Sequence, residues 1–285
     1  MTHLHAVRLA FGLSFLVAQA AYADSDRPIT SSPFDPQAKA VELFAGIEAG
    51  VVTAKLVARG SAGGNLFLTN HTQEPLTVQM PDAFVGVPVH AQFGASNIPS
   101  PFGQMQGMGN AGAGNRPQPV GAGTGSTGTG SGQNGIGNNG PGIFGNNAQQ
   151  GFFSIPANRT LRVPYTSVCL QHGMQDPTPR VTFQLMPVEI YTTDPVLQAL
   201  IHQVGDKETP QRTLQAAVWN IANGLTWQEL AEKGTSPVRI PGDNYFSSSQ
   251  IKNARQLVSD VQGTIRESNS LESPTNSPRV ARAAR

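Results

Sequence analysis

Along the chain the spacing of apolar residues changes character twice. Residues 51–58 (VVTAKLVA) and 66–69 (LFLT) are short β-branched or apolar runs, and residues 76–80 (LTVQM) alternate at period two, which predicts strands. Between the last two, Asn70-His71-Thr72-Gln73-Glu74-Pro75 is turn chemistry, so this pair is expected to form a hairpin. Asn70-His71-Thr72 also fits a glycosylation acceptor, although a simple turn explains it as well. The strand pattern stops, then resumes at residues 152–155, 160–163, 165–170 and 181–185. Strands on both sides of a long gap predict one β-sandwich of roughly six to eight strands, closed by pairing between distant segments.

From Asp194 the period becomes helical. Asp194 is a good N-cap with Pro195 at the first helical position, and Val196, Leu197, Leu200, Ile201 and Val204 lead to Gly205 as a stop. Thr209-Pro210 repeats the start signal for a second helix that runs to about Asn223-Gly224. Thr226-Trp227-Gln228-Glu229 is a capping box, which begins a third helix ending near Gly234. Residues 249–265 predict a fourth, and from Glu267 onward Ser, Pro and Asn predict a disordered tail.

The gap between the two strand groups is compositional. Residues 94–151 hold 18 of the chain's 31 glycines, and Arg116 is their only charge. With almost nothing to bury, such a segment cannot offset the entropy of ordering, and it reads as a flexible insertion. It lacks the flanking strand and helix that a phosphate cradle needs.

At the N-terminus a cationic start, an apolar run over residues 9–18 and Ala21-Tyr22-Ala23 before Asp24 form the three parts of a secretory signal. The apolar run is too short for the ~20 residues of a permanent span. Cleavage is therefore expected after Ala23, leaving an extracytoplasmic protein, periplasmic, surface-located or secreted, with no transmembrane segment. The resulting organisation is a signal peptide at 1–23, a flexible segment at 24–40, a β-sandwich at 41–93 and 152–193, the insertion at 94–151, a helical segment at 194–265 and a tail at 266–285. The fold class is α+β.

Removal of Arg8 with the signal takes 19 Lys+Arg to 18, against 18 Asp+Glu, so the mature chain is formally neutral. That excludes the broad positive field that attracts nucleic acid or anionic lipid. The expected partner is another extracytoplasmic protein, with no cofactor and no metal.

Few residues suggest chemistry. The single cysteine, Cys169, permits no internal disulfide and lies in an apolar strand, where a buried inert thiol is the plain reading. His172 follows three residues later, but on a continuing strand that spacing puts the two side chains on opposite faces. His71, His90 and His202 show no metal-ligand spacing with them, and Asp176, Glu189 and Asp194 have no pairing signature. Gln215 shares a helix face with Trp219 and Ala222, where it reads as a half-buried side chain bonded to backbone.

Val168-Cys169-Leu170-Gln171-His172-Gly173 at the end of the β region, followed by Gln215-Ala216-Ala217-Val218-Trp219-Asn220 on a helix, resembles a family of largely uncharacterised secreted bacterial proteins. The likeness runs from about Val41 to Lys233, includes the Gly-rich insertion, and implies a shared fold without a known activity. More distantly, Cys169 with Gln215, Ala217 and Trp219 resembles the internal-thioester domains of bacterial adhesins, whose motif is Thr-Gln-x-Ala-x-Trp. Leu214 stands at the position of that family's Thr, and no cell-wall sorting signal follows. This resemblance implies a Cys169–Gln215 thioester open to attack by an amine on a partner. The leading expectation is an exported structural or protein-binding module without catalytic turnover; covalent adhesion through the thioester is the alternative.

Overall fold

In a computed structural model, which describes residues 27–89, 116–124, 151–206, 208–235 and 243–272, the chain folds as α+β. The expected signal peptide with its cleavage point, most of the expected insertion and residues 273–285 lie outside these. In chain order the elements are β1 (Lys39–Glu42), α1 (Leu43–Glu48), β2 (Val52–Gly60), β3 (Gly63–Asn70), β4 (Leu76–Gln79), β5 (Phe84–Pro88), β6 (Val120–Gly123) and β7 (Phe152–Ile155). There follow β8 (Thr160–Cys169), β9 (Phe183–Met186), α2 (Val188–Tyr191), α3 (Pro195–His202), α4 (Gln211–Asn223), α5 (Trp227–Glu232) and α6 (Ser248–Glu272).

Six strands form one antiparallel sheet in the order β2-β3-β8-β6-β5-β9, and β9 curls back beside β2 without a hydrogen-bonded ladder between them. The result is a nearly closed barrel-like sheet, not the two-layer sandwich expected from the strand pattern. A separate three-stranded sheet, β1-β4-β7, stands beside it. Inward-facing Leu56, Leu66, Leu68, Phe84, Leu161 and Val163 fill the barrel, while α3, α4 and α6 build a second core around Leu200, Leu214, Val218 and Phe246.

The expected β3–β4 hairpin does not form. β3 pairs with β2 and β8, whereas β4 pairs with β1 and β7, so the turn after Asn70 carries the chain from one sheet to the other. Asn70 holds that corner. Its Nδ2 donates to the carbonyls of Glu74, Ile155 and Pro156, and its Oδ1 accepts from the backbone N–H and the hydroxyl of Thr72. Fully buried and fully bonded, this side chain is closed to glycosylation in the folded protein.

β8 is the spine of the barrel, where the sequence predicts two strands divided at Pro164. One ten-residue strand runs through the proline. Along β8 the backbone groups point alternately to either neighbour; Arg162 N–H donates to Ile29 on the β6 side, so Pro164 faces the same way, between Ile29 and β6. Its missing N–H thus falls where no partner strand runs, the setting in which a strand proline is tolerated. Ile29 itself is bridged to Leu161, which ties down part of the segment 24–40 that was expected to be flexible.

β6 lies within the segment expected to be a disordered insertion. Val120-Gly121-Ala122-Gly123 fills the place between β5 and β8, with Val120 and Ala122 in the barrel core. The glycines are spent on close approach. A Cβ at Gly123 would collide with the carbonyl oxygen of Val204, just past α3, so only glycine fits there, and one at Gly121 would press on Ile201 of α3 at 3.1 Å.

The helix starts agree with expectation: Asp194 accepts from the N–H groups of Val196 and Leu197, and Thr226 and Glu229 close the capping box. α6 extends past the expected end at 265 to Glu272, into the segment read as a tail. Residues 266–272 lack Gly and Pro, so nothing in them interrupts the helix.

Candidate functional site

The Cys169–Gln215 pair is built where β3 runs out. β3 pairs with β8 only as far as Gly63↔Thr166, with Ser167 N–H reaching back to the Ala62 carbonyl. On β8, Ser167 and Cys169 turn their remaining backbone groups toward the vacated side, while Leu170 N–H donates to Pro119 on the β6 side. Buried backbone groups must find partners. α4 supplies them from one face: Gln211 Nε2 donates to the Ser167 carbonyl at 3.0 Å, Gln215 Oε1 accepts from Cys169 N–H at 2.8 Å, and Gln215 Nε2 donates to the Cys169 carbonyl at 2.8 Å. Two turns on, Asn223 Oδ1 accepts from His172 N–H at 3.1 Å. Three side-chain amides thus continue the ladder of a missing strand.

Sequence reading singled out Gln215 but took it as half-buried; it is 1 % exposed. Gln211 and Asn223 were missed. Their signal was available in the spacing Gln211, Gln215, Trp219, Asn223, one residue per turn on a single face.

The strand end and the helix are therefore in direct contact, as a thioester would require. The details of that contact favour a different role. A strand residue's N–H and C=O lie in the sheet plane while its side chain stands perpendicular to it, so a carboxamide engaging both groups of Cys169 lies beside the main chain. The thiol, fully buried, points elsewhere. Burial, and then the negative charge of Asp176, pushes it up to about 12. It stays protonated and a poor nucleophile.

His172 does not join Cys169 in a dyad. Its ring packs edge-on against Trp219, with centroids 4.8 Å apart, and its pKa is lowered by burial and by the Lys233 ammonium, against an opposing pull from Glu229. Trp219 also meets Tyr245 and Phe246, and Lys233 lies over the Trp219 ring at 5.4 Å while Arg212 lies over Tyr245 at 4.8 Å. Arg212 and the Tyr245 backbone also bond directly, so the segment before α6 is strapped across α4.

The remaining candidates are dispersed. His71 meets the Thr53 hydroxyl, His202 pairs with Glu189 at 3.1 Å, Asp194 caps α3 and Asp176 accepts from buried Gln118. His90 lies outside the described residues. Among the described residues no group of three His, Cys, Asp or Glu side chains could hold a metal ion, and no helix is long and apolar enough to cross a membrane. No protein-family model, no curated protein and no solved structure matches the chain.

Proposed function

We propose that the chain is an exported, non-catalytic binding module in which Cys169 and Gln215 form a structural clamp between the barrel and the helices. The observation that carries this reading is the pair of 2.8 Å bonds between the Gln215 carboxamide and the Cys169 main chain. Both polar ends of the amide are committed to holding α4 in place of a strand. Export rests on the N-terminal signal pattern, with Asp24 as the first mature residue and a partner met outside the cytoplasm.

Covalent adhesion is the second reading, and direct Cys169–Gln215 contact supports it. In that chemistry Sγ attacks the Gln215 side-chain carbon, the C–N bond breaks, ammonia leaves with the thiol proton, and an amine later displaces the thiol to form an amide. Losing ammonia would also remove the donor to the Cys169 carbonyl.

Intact mass decides between them. The clamp predicts the unmodified mass, a thiol hidden from maleimide until the protein is denatured, and no methylamine incorporation. A protein one ammonia lighter that takes up methylamine at Gln215 would establish the thioester and end the clamp reading.

A further inference from the structure

The barrel wall formed by β2, β3 and β8 has an outer face that the clamp does not use. Outward positions are set by alternation, since Leu56, Leu66 and Leu161 point inward and their neighbours outward. Register aligns Lys55, Phe67 and Arg162 in one row across the three strands. A second row aligns Thr53, Thr69 and Thr160, with the last two hydroxyls 2.9 Å apart, which places them on this same face. Asn65 stands on the other side of the central row. Lys55 is exposed, and Phe67 and Arg162 are half-buried.

These three strands contain Lys55, Arg59 and Arg162 and no acidic residue. Among the described residues neither Lys55 nor Arg162 has a carboxylate partner. A chain whose formal net charge is only +1 thus places cations without acids on one outer wall. Neighbouring strands are separated by about 4.8 Å, so the backbones bearing Lys55 and Arg162 lie roughly 10 Å apart with the Phe67 ring between them.

We infer that this face binds a linear polysaccharide carrying carboxylate or sulfate groups. Its acid groups would meet Lys55 and Arg162, its hydroxyls the threonine row and Asn65, and the apolar side of a sugar ring the Phe67 ring. Other polyanions suit the face less well. Single-stranded nucleic acid uses several stacking aromatics, and this face has one. An extended peptide joins a sheet through its edge, and here only side chains are presented. A membrane surface needs several protruding apolar side chains, whereas this face has one large apolar side chain, the half-buried Phe67. The inference deepens the binding-module reading by naming a partner class, and it rests on that reading for the absence of turnover.

The test uses the full mature chain on immobilised polygalacturonate, with dextran as neutral control and heparin as sulfated competitor. Retention is expected on polygalacturonate but not dextran, with displacement by heparin and by high salt, where screening shortens the reach of charge. Lys55→Glu with Arg162→Glu should weaken binding by roughly tenfold or more. Lys252→Glu with Arg266→Glu makes the same charge change on exposed positions of α6, and should stay within about twofold because the site is local. Unchanged urea midpoints establish that each variant folds; should the glutamates disturb folding, Lys55→Gln with Arg162→Gln asks the same question. Equal weakening by the α6 pair, retention on dextran, or stronger retention of oligo-dT or phosphatidylserine vesicles would overturn the inference. Failure of every anionic probe with the mass and thiol results intact removes this face and leaves the module reading standing. Shortened polygalacturonate chains would instead overturn the non-catalytic reading.

Discussion

The two halves of β8 have opposite fates. Its C-terminal half, Ser167 to Cys169, carries the residues that suggest chemistry, and there the strand is closed over: the thiol is enclosed and the glutamine amides of α4 bond the main chain in place of a strand, while His172, just past the strand, packs half-buried on Trp219. Its N-terminal half carries Thr160, Arg162 and Pro164, ordinary residues that stay open to solvent or half-open beside Lys55 and Phe67. Residue type alone therefore points to the half whose main chain is closed over. A side chain whose polar atoms are all satisfied inside the fold has no capacity left for a partner, whereas a cation without a carboxylate partner on the outer wall does.

The sharpest way to break this comparison is to remove the strand that both halves lean on. Excising residues 94–151 deletes β6, leaving β5 and β8 with an open gap and α3 without its seat on Gly121 and Gly123. Loss of cooperative unfolding is expected by circular dichroism. A well-folded deletion would mean that the barrel closes without β6.

A smaller effect sharpens the clamp. Gln215→Ala leaves two buried backbone groups of Cys169 unpaired, each costing about 1–3 kcal/mol, while Gln211→Ala, with one half-buried bond, should cost about 1 kcal/mol. Cys169→Ala should cost about 1 kcal/mol and leave the Gln215 bonds intact, since these go to the main chain. Cys169→Ala should leave the effect of Gln215→Ala on stability largely in place in urea titrations, since the carboxamide holds the main chain. Loss of the whole Gln215→Ala effect in the Cys169→Ala background would point to the covalent bond.

The smallest effect concerns pH. The folded protein lowers the pKa of His172, by burial first and by Lys233 second, so folding favours the neutral ring. The associated stability is fully present above the unfolded value of about 6.5 and is lost as pH falls through the lower folded value. Urea midpoints should decline between neutral pH and about 5, and His172→Gln should remove part of that decline. An unchanged slope in the variant would assign the acid sensitivity to other groups.

Much of this molecule is legible one segment at a time. Short β-branched or apolar runs marked β2, β3, β7 and β8, the period-two run at 76–80 marked β4, and Asp194 and Thr226 marked helix starts, because these signals are satisfied by neighbours within a few residues. The pairing of Cys169 with Gln215 entered only as what the likeness to the internal-thioester motif implies, and its geometry was not legible at all. Pairing decided the rest. Val-Gly-Ala-Gly has no strand signal of its own and becomes β6 because β5, β8 and α3 leave a slot that only small residues fit. Pro164 reads as a break until the neighbour its nitrogen faces is known, and Asn70 reads as a hairpin turn until its strands fall into different sheets. The row of Lys55, Phe67 and Arg162 joins residues more than ninety positions apart, through hydrogen bonds that belong to the backbone and carry no residue-specific signature. Strand register is a property of the folded sheet, and on this chain register decides which face is open.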